Sequence, residues 1–75
     1  MVNYRTVEAM RNRIRIERAI LDITQADLAE RIHVSRQTIN AIESNKYVPS
    51  AVLAMKIARI FGKTVEEIFE LDEND

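Results

Sequence analysis

The stretch from Ser35 to Asn40 carries the side chains whose types and spacing offer the most chemistry. Arg36, Gln37 and Asn40 fall on one face if this stretch is helical. An Arg guanidinium offers paired donors that match guanine O6 and N7, and a Gln or Asn amide matches adenine N6 and N7. Such residues are also common on any solvated helix face. The pattern taken alone therefore leaves both interpretations open.

Other kinds of chemistry find little support in the sequence. His33 is the only His and there is no Cys, so the further ligands of a zinc site are missing. Glu66 and Glu67 lie on a short predicted helix without a nearby general base, and Ser35 has no His positioned to activate it. We therefore expect neither an enzyme nor a metal site, and no cofactor.

The composition is that of one small helical domain. The chain has 75 residues, 47% of them hydrophobic and 31% charged, with one Gly and one Pro, a profile that favours helices. No apolar run approaches the roughly 20 residues that cross a bilayer, and the N-terminus lacks the apolar core of a signal peptide. These features predict a soluble, cytoplasmic protein.

The charge is unevenly distributed. Residues 1–46 carry eight Lys and Arg against six Asp and Glu, a balance of +2, whereas residues 47–75 carry three against six, a balance of −3. The net charge of −1 therefore does not exclude an anionic partner, because the N-terminal part is weakly basic.

Polar residues that favour helix starts divide the chain into five predicted helices. Thr24, Ser35, Ser50 and Thr64 each precede an apolar-periodic stretch, and Glu67 can complete a capping box with Thr64. The fold class is therefore all-α, a compact five-helix bundle. The predicted helices run from about Val7 to Leu21, from Gln25 to Ile32, from Arg36 to Glu43, from Ala51 to Phe61 and from Val65 onward. A leader or arm (1–10) and an acidic tail (71–75) flank the domain (11–70).

Apolar residues at helical spacing define the expected core. The helix from Ala51 to Phe61 is apolar over most of its circumference, so we expect it to be central. The predicted core residues are Ile14, Leu21, Ile23, Leu28, Ala29, Ile32, Val34, Ile39, Ile42, Leu53, Met55, Ile57, Ala58, Phe61, Val65, Ile68 and Phe69.

The second and third helices are joined only by residues 32–35. So tight a connection is typical of a helix-turn-helix, in which the second helix of the pair can enter the major groove. Ala29 supplies the small side chain needed where the two helices approach, and Val34 and Ile39 are the apolar residues expected beneath the turn.

The stretch TQADLAERIHVSRQTINAIE (24–43), followed by NKYVPS (45–50), closely resembles the Cro/phage-repressor-like (XRE) helix-turn-helix family. The resemblance runs from about Asn12 to Phe69 and is strongest to short, single-domain regulators. It implies the five-helix repressor-like fold, with the helix-turn-helix formed by helices 2 and 3, and binding to operator DNA, usually as a homodimer.

The resemblance also assigns roles to residues. It assigns base contacts to Arg36, Gln37 and Asn40, and a second contact with the DNA backbone to Lys46 and Tyr47. It also implies a buried ion pair between Arg18 and Glu43. The N–H groups and side chain of Gln25 at a helix start, and the hydroxyls of Ser35 and Thr38, suit DNA phosphates. Ser35 can equally be a plain helix cap, and Tyr47 can equally pack on the core or on a second subunit.

This sequence departs from the family at a few positions. Asp22, His33 and Asn45 stand where relatives often have Gly. Each follows a predicted helix, and these residue types tolerate a positive φ best, so we expect the turn geometry to be kept. Glu17 replaces a common Leu, which predicts different packing of the first helix there.

The functional hypothesis is a DNA-binding repressor that acts as a homodimer and needs no small-molecule ligand. The expected dimer surface is the C-terminal section with Ile68, Phe69 and Leu71, joined by Tyr47 and Val48. Two alternatives remain open: an antitoxin that masks a toxin and represses its own operon, and a protein-interaction module that uses the same fold.

Overall fold

The computed structural model describes residues 10–71 and consists of five helices and a two-stranded sheet. The order along the chain is β1 (Met10–Asn12), α1 (Ile14–Leu21), α2 (Gln25–Arg31), α3 (Arg36–Glu43), α4 (Ala51–Phe61), α5 (Val65–Ile68) and β2 (Phe69–Leu71). The five-helix architecture is confirmed. None of the helices in this part of the chain is long and apolar enough to span a bilayer.

The sheet joins the two ends of the domain, and the expectation of a purely helical fold missed it. β1 and β2 are antiparallel, with Met10 opposite Leu71 and Asn12 opposite Phe69. The predicted start of the first helix at Val7 is wrong for Met10–Asn12, which form a strand, while residues 7–9 lie outside the described part. Strands of three residues show no readable alternation, so local patterns could not reveal them.

Local chemistry explains where the helices begin. The side chains of Thr24, Ser35, Ser50 and Thr64 each accept a hydrogen bond from the backbone N–H three residues later, as expected for these four residues. The predicted capping box of Thr64 and Glu67 is present, and Asp27 completes a second box with Thr24. These caps satisfy N–H groups that have no partner inside the helices.

Left-handed residues stand just beyond three of the helices and in the turn after α2. Asp22, His33 and Asn45 have φ values of 57°, 62° and 62°, which confirms that they occupy turns often built with Gly. Gly62 takes the same conformation after α4. The short connections between the helices depend on this geometry, which non-Gly residues adopt at some energetic cost.

The core lies where α1, α2, α3, α4 and α5 meet. Its fully buried side chains come from every helix: Ile14, Leu28, Ile39, Ile42, Ile57 and Ile68. Two predicted core residues are wrong, because Leu21 is 44% exposed and Met55 is 59% exposed. Met55 shares its face of α4 with Val52, Lys56 and Arg59, which are also exposed, so this helix is not buried on all sides.

Candidate nucleic-acid interface

The turn between α2 and α3 is fixed by backbone geometry and by a small buried residue. His33 N–H donates to the carbonyl of Glu30 (3.3 Å) and Val34 N–H donates to that of Ala29 (3.0 Å), which closes the end of α2. Ala29 is 3% exposed and Ile39 is fully buried. The two helices therefore form a packed unit, as the helix-turn-helix interpretation requires.

One face of α3 carries three exposed polar side chains. Arg36, Gln37 and Asn40 all lie at the surface, while Ile39 and Ile42 on the opposite face are buried. Arg36 forms no ion pair with any carboxylate among residues 10–71. Its guanidinium is therefore available in this part of the structure to make paired hydrogen bonds with an external acceptor.

Gln25 at the start of α2 connects that helix to the exposed face of α3. Its Nε2 donates to Oδ1 of Asn40 at 3.3 Å and to Oε1 of Glu43 at 3.1 Å. The side chain of Gln25 is half-buried. The two protons of its amide group are thus used to link a predicted base-contacting residue to a buried carboxylate.

Arg18 and Glu43 form a bidentate ion pair between α1 and the end of α3. The Nε–Oε2 distance is 2.6 Å and the Nη2–Oε1 distance is 3.1 Å, and only 1% of the Glu43 side chain is exposed. Arg18 also donates to the carbonyl of Ile23 at 3.1 Å. The pair ties the end of α3 to α1.

The electrostatics of this pair favour the ionised form of both groups. Burial raises the pKa of Glu43, but hydrogen bonds from Arg18 and Gln25 and the charges of Arg18 and Arg15 outweigh it, so its pKa lies below the ordinary value. The hydrogen bond to Glu43 raises the pKa of Arg18. Arg15, 3.7 Å from Glu43, is a contributor that the sequence did not single out.

Ser35 and Thr38 lie together at the N-terminus of α3. Ser35 Oγ accepts from the backbone N–H of Thr38 at 3.1 Å, and the two hydroxyl oxygens are 2.9 Å apart. The capping role of Ser35 is therefore present. Since only one of the two hydroxyl protons can bridge these oxygens, the other stays free to donate to a phosphate.

The loop after α3 positions Lys46 and Tyr47 at the surface. Lys46 N–H donates to the carbonyl of Ala41 at 2.9 Å, and the Lys46 side chain is exposed. Tyr47 is 47% exposed and borders a small cavity with Val48, Pro49 and the sheet residues Met10 and Phe69. Both side chains are thus accessible next to the C-terminus of α3.

Asn12 is a positioning residue that the sequence did not reveal. Its Nδ2 donates to the carbonyl of Ile42 at 2.9 Å and to Oδ1 of Asn45 at 3.1 Å, so β1 holds the C-terminus of α3. Its Oδ1 accepts from Ile14 N–H at 3.1 Å, which starts α1. Ile42 and Asn45 lie 30 and 33 positions from Asn12, and no local pattern could have indicated those two contacts.

Glu17 is nearly buried at the position where relatives often have Leu. Its side chain is 5% exposed, and its Oε2 is 3.9 Å from Arg13 and 4.0 Å from Lys63. Two cations at the rim of the core therefore accompany this carboxylate. The altered packing of α1 expected here takes the form of a charge cluster in place of an apolar contact.

Of the three C-terminal residues expected at a dimer interface, two are buried and one is exposed. Ile68 and Phe69 are 1% and 7% exposed and belong to the core of their own chain, as their spacing predicted, so they offer little surface to a second subunit. Leu71 is 67% exposed at the end of β2, and Tyr47 and Val48 are also exposed. A subunit contact made by this surface would therefore rest on Leu71, Tyr47 and Val48.

Comparison with known proteins gives the same result as this geometry. The model of the helix-turn-helix family matches residues 14–68. The chain belongs to that family, in its Cro/C1 (XRE) branch. An uncharacterised HTH-type transcriptional regulator of Methanocaldococcus jannaschii is 48% identical over 66 residues, covering 88% of this chain and all of the relative.

Further relatives come from other organisms. An uncharacterised regulator of the same type from Methanothermobacter thermautotrophicus is 52% identical over 66 residues, which cover 87% of this chain and 96% of the relative. The crystal structure of a putative DNA-binding protein from Bacteroides fragilis superposes with a TM-score of 0.73 at 31% identity, covering 81% of this chain and 98% of the other. This helix-turn-helix protein therefore has the DNA-binding fold of a transcriptional regulator.

Proposed function

We propose that the protein is a sequence-specific repressor that binds a palindromic operator as a homodimer in the cytoplasm. The observation that carries the proposal is the outward face of α3, where Arg36, Gln37 and Asn40 lie together on a helix fixed by the Arg18–Glu43 pair. Base edges in the major groove present the acceptors and donors that these side chains complement. The proposal assigns no catalytic step to the chain.

Contacts to the DNA backbone would orient this reading face. Gln25, Ser35 and Thr38 lie at the N-termini of α2 and α3, where free N–H groups and the helix dipole favour phosphate. Lys46 and Tyr47 would contact the DNA backbone beyond the C-terminus of α3. Repression would follow from occupancy of an operator that overlaps a promoter, since the bound protein excludes polymerase.

The homodimer would place two copies of α3 about 34 Å apart, one turn of B-form DNA. Leu71 is the most exposed residue of the expected dimer surface. A Leu71→Asp variant should sediment as a monomer at concentrations where the parent protein is a dimer. A variant that remains dimeric would place the subunit contact elsewhere.

Selection of bound sites from random duplex DNA tests the reading function directly. We expect an inverted repeat whose half-site centres lie about 10 base pairs apart. Arg36→Ala and Asn40→Ala variants, selected in parallel, should each lose the preference at one position of the half-site. Recovery of no enriched motif would contradict sequence-specific binding, and enrichment of a single unrepeated half-site would contradict the dimer.

A further inference from the structure

A basic groove lies between the end of α2 and the middle of α4. It has a volume of about 190 Å³ and is lined by Arg31, Ile32, His33, Lys56, Arg59 and Ile60. Ile32 is 3% exposed and Ile60 is half-buried, so the floor is apolar. The basic side chains are exposed at its rim. None of its lining residues belongs to the predicted DNA-contacting set.

The cations of this groove have few interactions with carboxylates of the described chain. Arg31, Lys56 and Arg59 form no ion pair with any carboxylate in residues 10–71. Asp27, one turn before Arg31, is held by hydrogen bonds to Thr24 and interacts with Arg31 through its charge, without forming an ion pair. Three cations around an apolar floor thus stand out in a chain whose net charge is −1.

A segment of the same chain has the complementary chemistry. Glu70, Leu71, Asp72 and Glu73 follow one another in the sequence, so that one apolar side chain is flanked by carboxylates on both sides. Leu71 is 67% exposed. Glu70 contacts Arg11 at 3.0 Å in a pair whose side chains are 59% and 71% exposed. Exposed pairs of this kind contribute little, so Glu70 can exchange partners.

The described part of this segment, Glu70 and Leu71, does not lie in the basic groove of its own chain. Leu71 sits opposite Met10 in the sheet, and Glu70 contacts Arg11 on the neighbouring strand. The cavity beside the sheet is lined by the loop after α3 and shares no residue with the basic groove. A second copy of the chain can supply the segment without any change to the fold.

We propose that, in the homodimer, the segment Glu70–Glu73 of each copy docks on the basic groove of the other, with Leu71 on the apolar floor and the carboxylates against Arg31, Lys56 and Arg59. This contact depends on the homodimer proposed above. The basic groove is the surface of each copy on which the segment of the other copy docks. The exchange is reciprocal, as a two-fold axis requires. Val52 and Met55, exposed on the same face of α4, would extend the apolar part of the contact.

DNA backbone fits the groove less well than this segment. Phosphates would engage the cations but would leave the exposed part of Ile60, and the neighbouring Val52 and Met55, without an apolar partner. An acidic segment that contains a Leu can contact both the cations and the apolar residues of this surface. Because the contact is partly ionic, dimerisation should weaken as salt is added, whereas a purely apolar contact should not.

A charge exchange between groove and segment tests the contact in the full chain. One variant carries K56E and R59E, and the other carries D72K and E73K. All four positions are away from the core or beyond the described residues, and circular dichroism should report an unchanged helix content. Each variant alone should dimerise about tenfold more weakly or worse, because like charges then face each other. An equimolar mixture should recover the dimer, because both contacts are then complementary.

Sedimentation of the two variants and their mixture without DNA gives the readout. Loss of the dimer in each variant with recovery in the mixture supports the proposal. A dimer that persists in K56E/R59E, or a mixture that stays monomeric, overturns it. So does a Tyr47→Ser/Val48→Ser variant that alone abolishes the dimer. Failure of the parent protein to bind any duplex would contradict the repressor function without affecting this result, so the two failures can be told apart.

Discussion

Gln25 on α2 donates its side-chain amide to Oδ1 of Asn40 on α3 at a distance of 3.3 Å. This contact orients the Asn40 amide before any DNA is bound. An amide oxygen has two lone pairs, so Oδ1 can accept from Gln25 and still accept from the N6 amino group of adenine, while Nδ2 donates to N7. Gln25 thereby positions a predicted base-contacting residue, in addition to its own predicted contact with a DNA phosphate.

A double-mutant cycle tests whether Gln25 positions Asn40. We expect Gln25→Ala and Asn40→Ala to be non-additive in binding to the selected duplex, with a coupling of about 0.5–3 kcal/mol, because each side chain needs the other for its geometry. Fluorescence anisotropy with a labelled duplex measures all four affinities. Gln25 with Gln37 is the matched control, since no hydrogen bond joins them in the described residues, and additivity in the Gln25–Asn40 pair would rule out the positioning role.

Arg36 should contribute to affinity through paired hydrogen bonds. Arg36→Ala is expected to lose about 1–3 kcal/mol of binding to the selected duplex, with relaxed preference at one base pair. Arg36→Lys should lose a comparable amount, because an ammonium cannot make the planar bidentate contact. Arg11→Ala, on the sheet, is the control and should bind as the parent does. Equal affinity of the Lys variant would indicate a phosphate contact instead of base reading.

Lys46 is predicted to contact a phosphate, and a salt titration distinguishes this from base reading. Lys46→Gln should reduce the slope of log K against log salt by about 1, since one fewer counterion is released. The loss should be nearly the same for selected and unrelated duplexes. Lys63→Gln, next to Glu17 and away from α3 in the chain, should leave the slope unchanged. An unchanged slope for Lys46→Gln would exclude this contact.

Glu43 couples stability to pH in a direction that its environment defines. Its pKa is lowered in the folded chain by Arg18, Gln25 and Arg15 acting against burial. Its contribution to the free energy of unfolding is therefore complete above the pKa of the unfolded chain, about 4.3. That contribution is lost as the pH falls through the lower pKa of the folded chain. Glu43→Gln should reduce the free energy of unfolding at pH 7 by about 3 kcal/mol, because Arg18 loses its partner.

Urea unfolding of both proteins from pH 7 to pH 2 measures this coupling. The difference between parent and Glu43→Gln should shrink below about pH 4 as Glu43 takes up a proton in the parent. Some pH dependence should remain in the variant, because hydrogen bonds to Thr24 and Thr64 lower the pKa values of Asp27 and Glu67. A constant difference across the whole range would mean that Glu43 does not stabilise the fold through its charge.

Local interactions explain which features the sequence could predict. Thr24, Ser35, Ser50 and Thr64 cap helices through bonds to residues three positions away, and the residue types reveal them. The outward face of α3 follows equally from helical spacing. The Arg18–Glu43 contact spans 25 positions and was expected only because of the family resemblance. A charged pair at that separation leaves no local pattern.

The features that the sequence did not predict depend on contacts between distant residues. Asn12 holds the end of α3 across 30 positions, and β1 pairs with β2 across the whole domain. Phe69 was predicted both in the core and at the dimer surface; it pairs with Asn12 in the sheet and is 7% exposed, so it lies in the core. Met55 was misplaced because apolar composition says nothing about whether a neighbouring helix covers a given face.

The left-handed positions after the helices permit a separate test of backbone strain. Gly62 has φ +65°, and a Cβ added there would have no atom within 4 Å. Gly62→Ala should therefore lower the free energy of unfolding by about 1 kcal/mol through backbone strain alone. Gly62→Asn should cost less, because Asn tolerates this conformation, as Asn45 does at φ 62°. Thermal unfolding of the two variants compares them directly. Equal losses would mean that the chain relaxes out of the left-handed region at this turn.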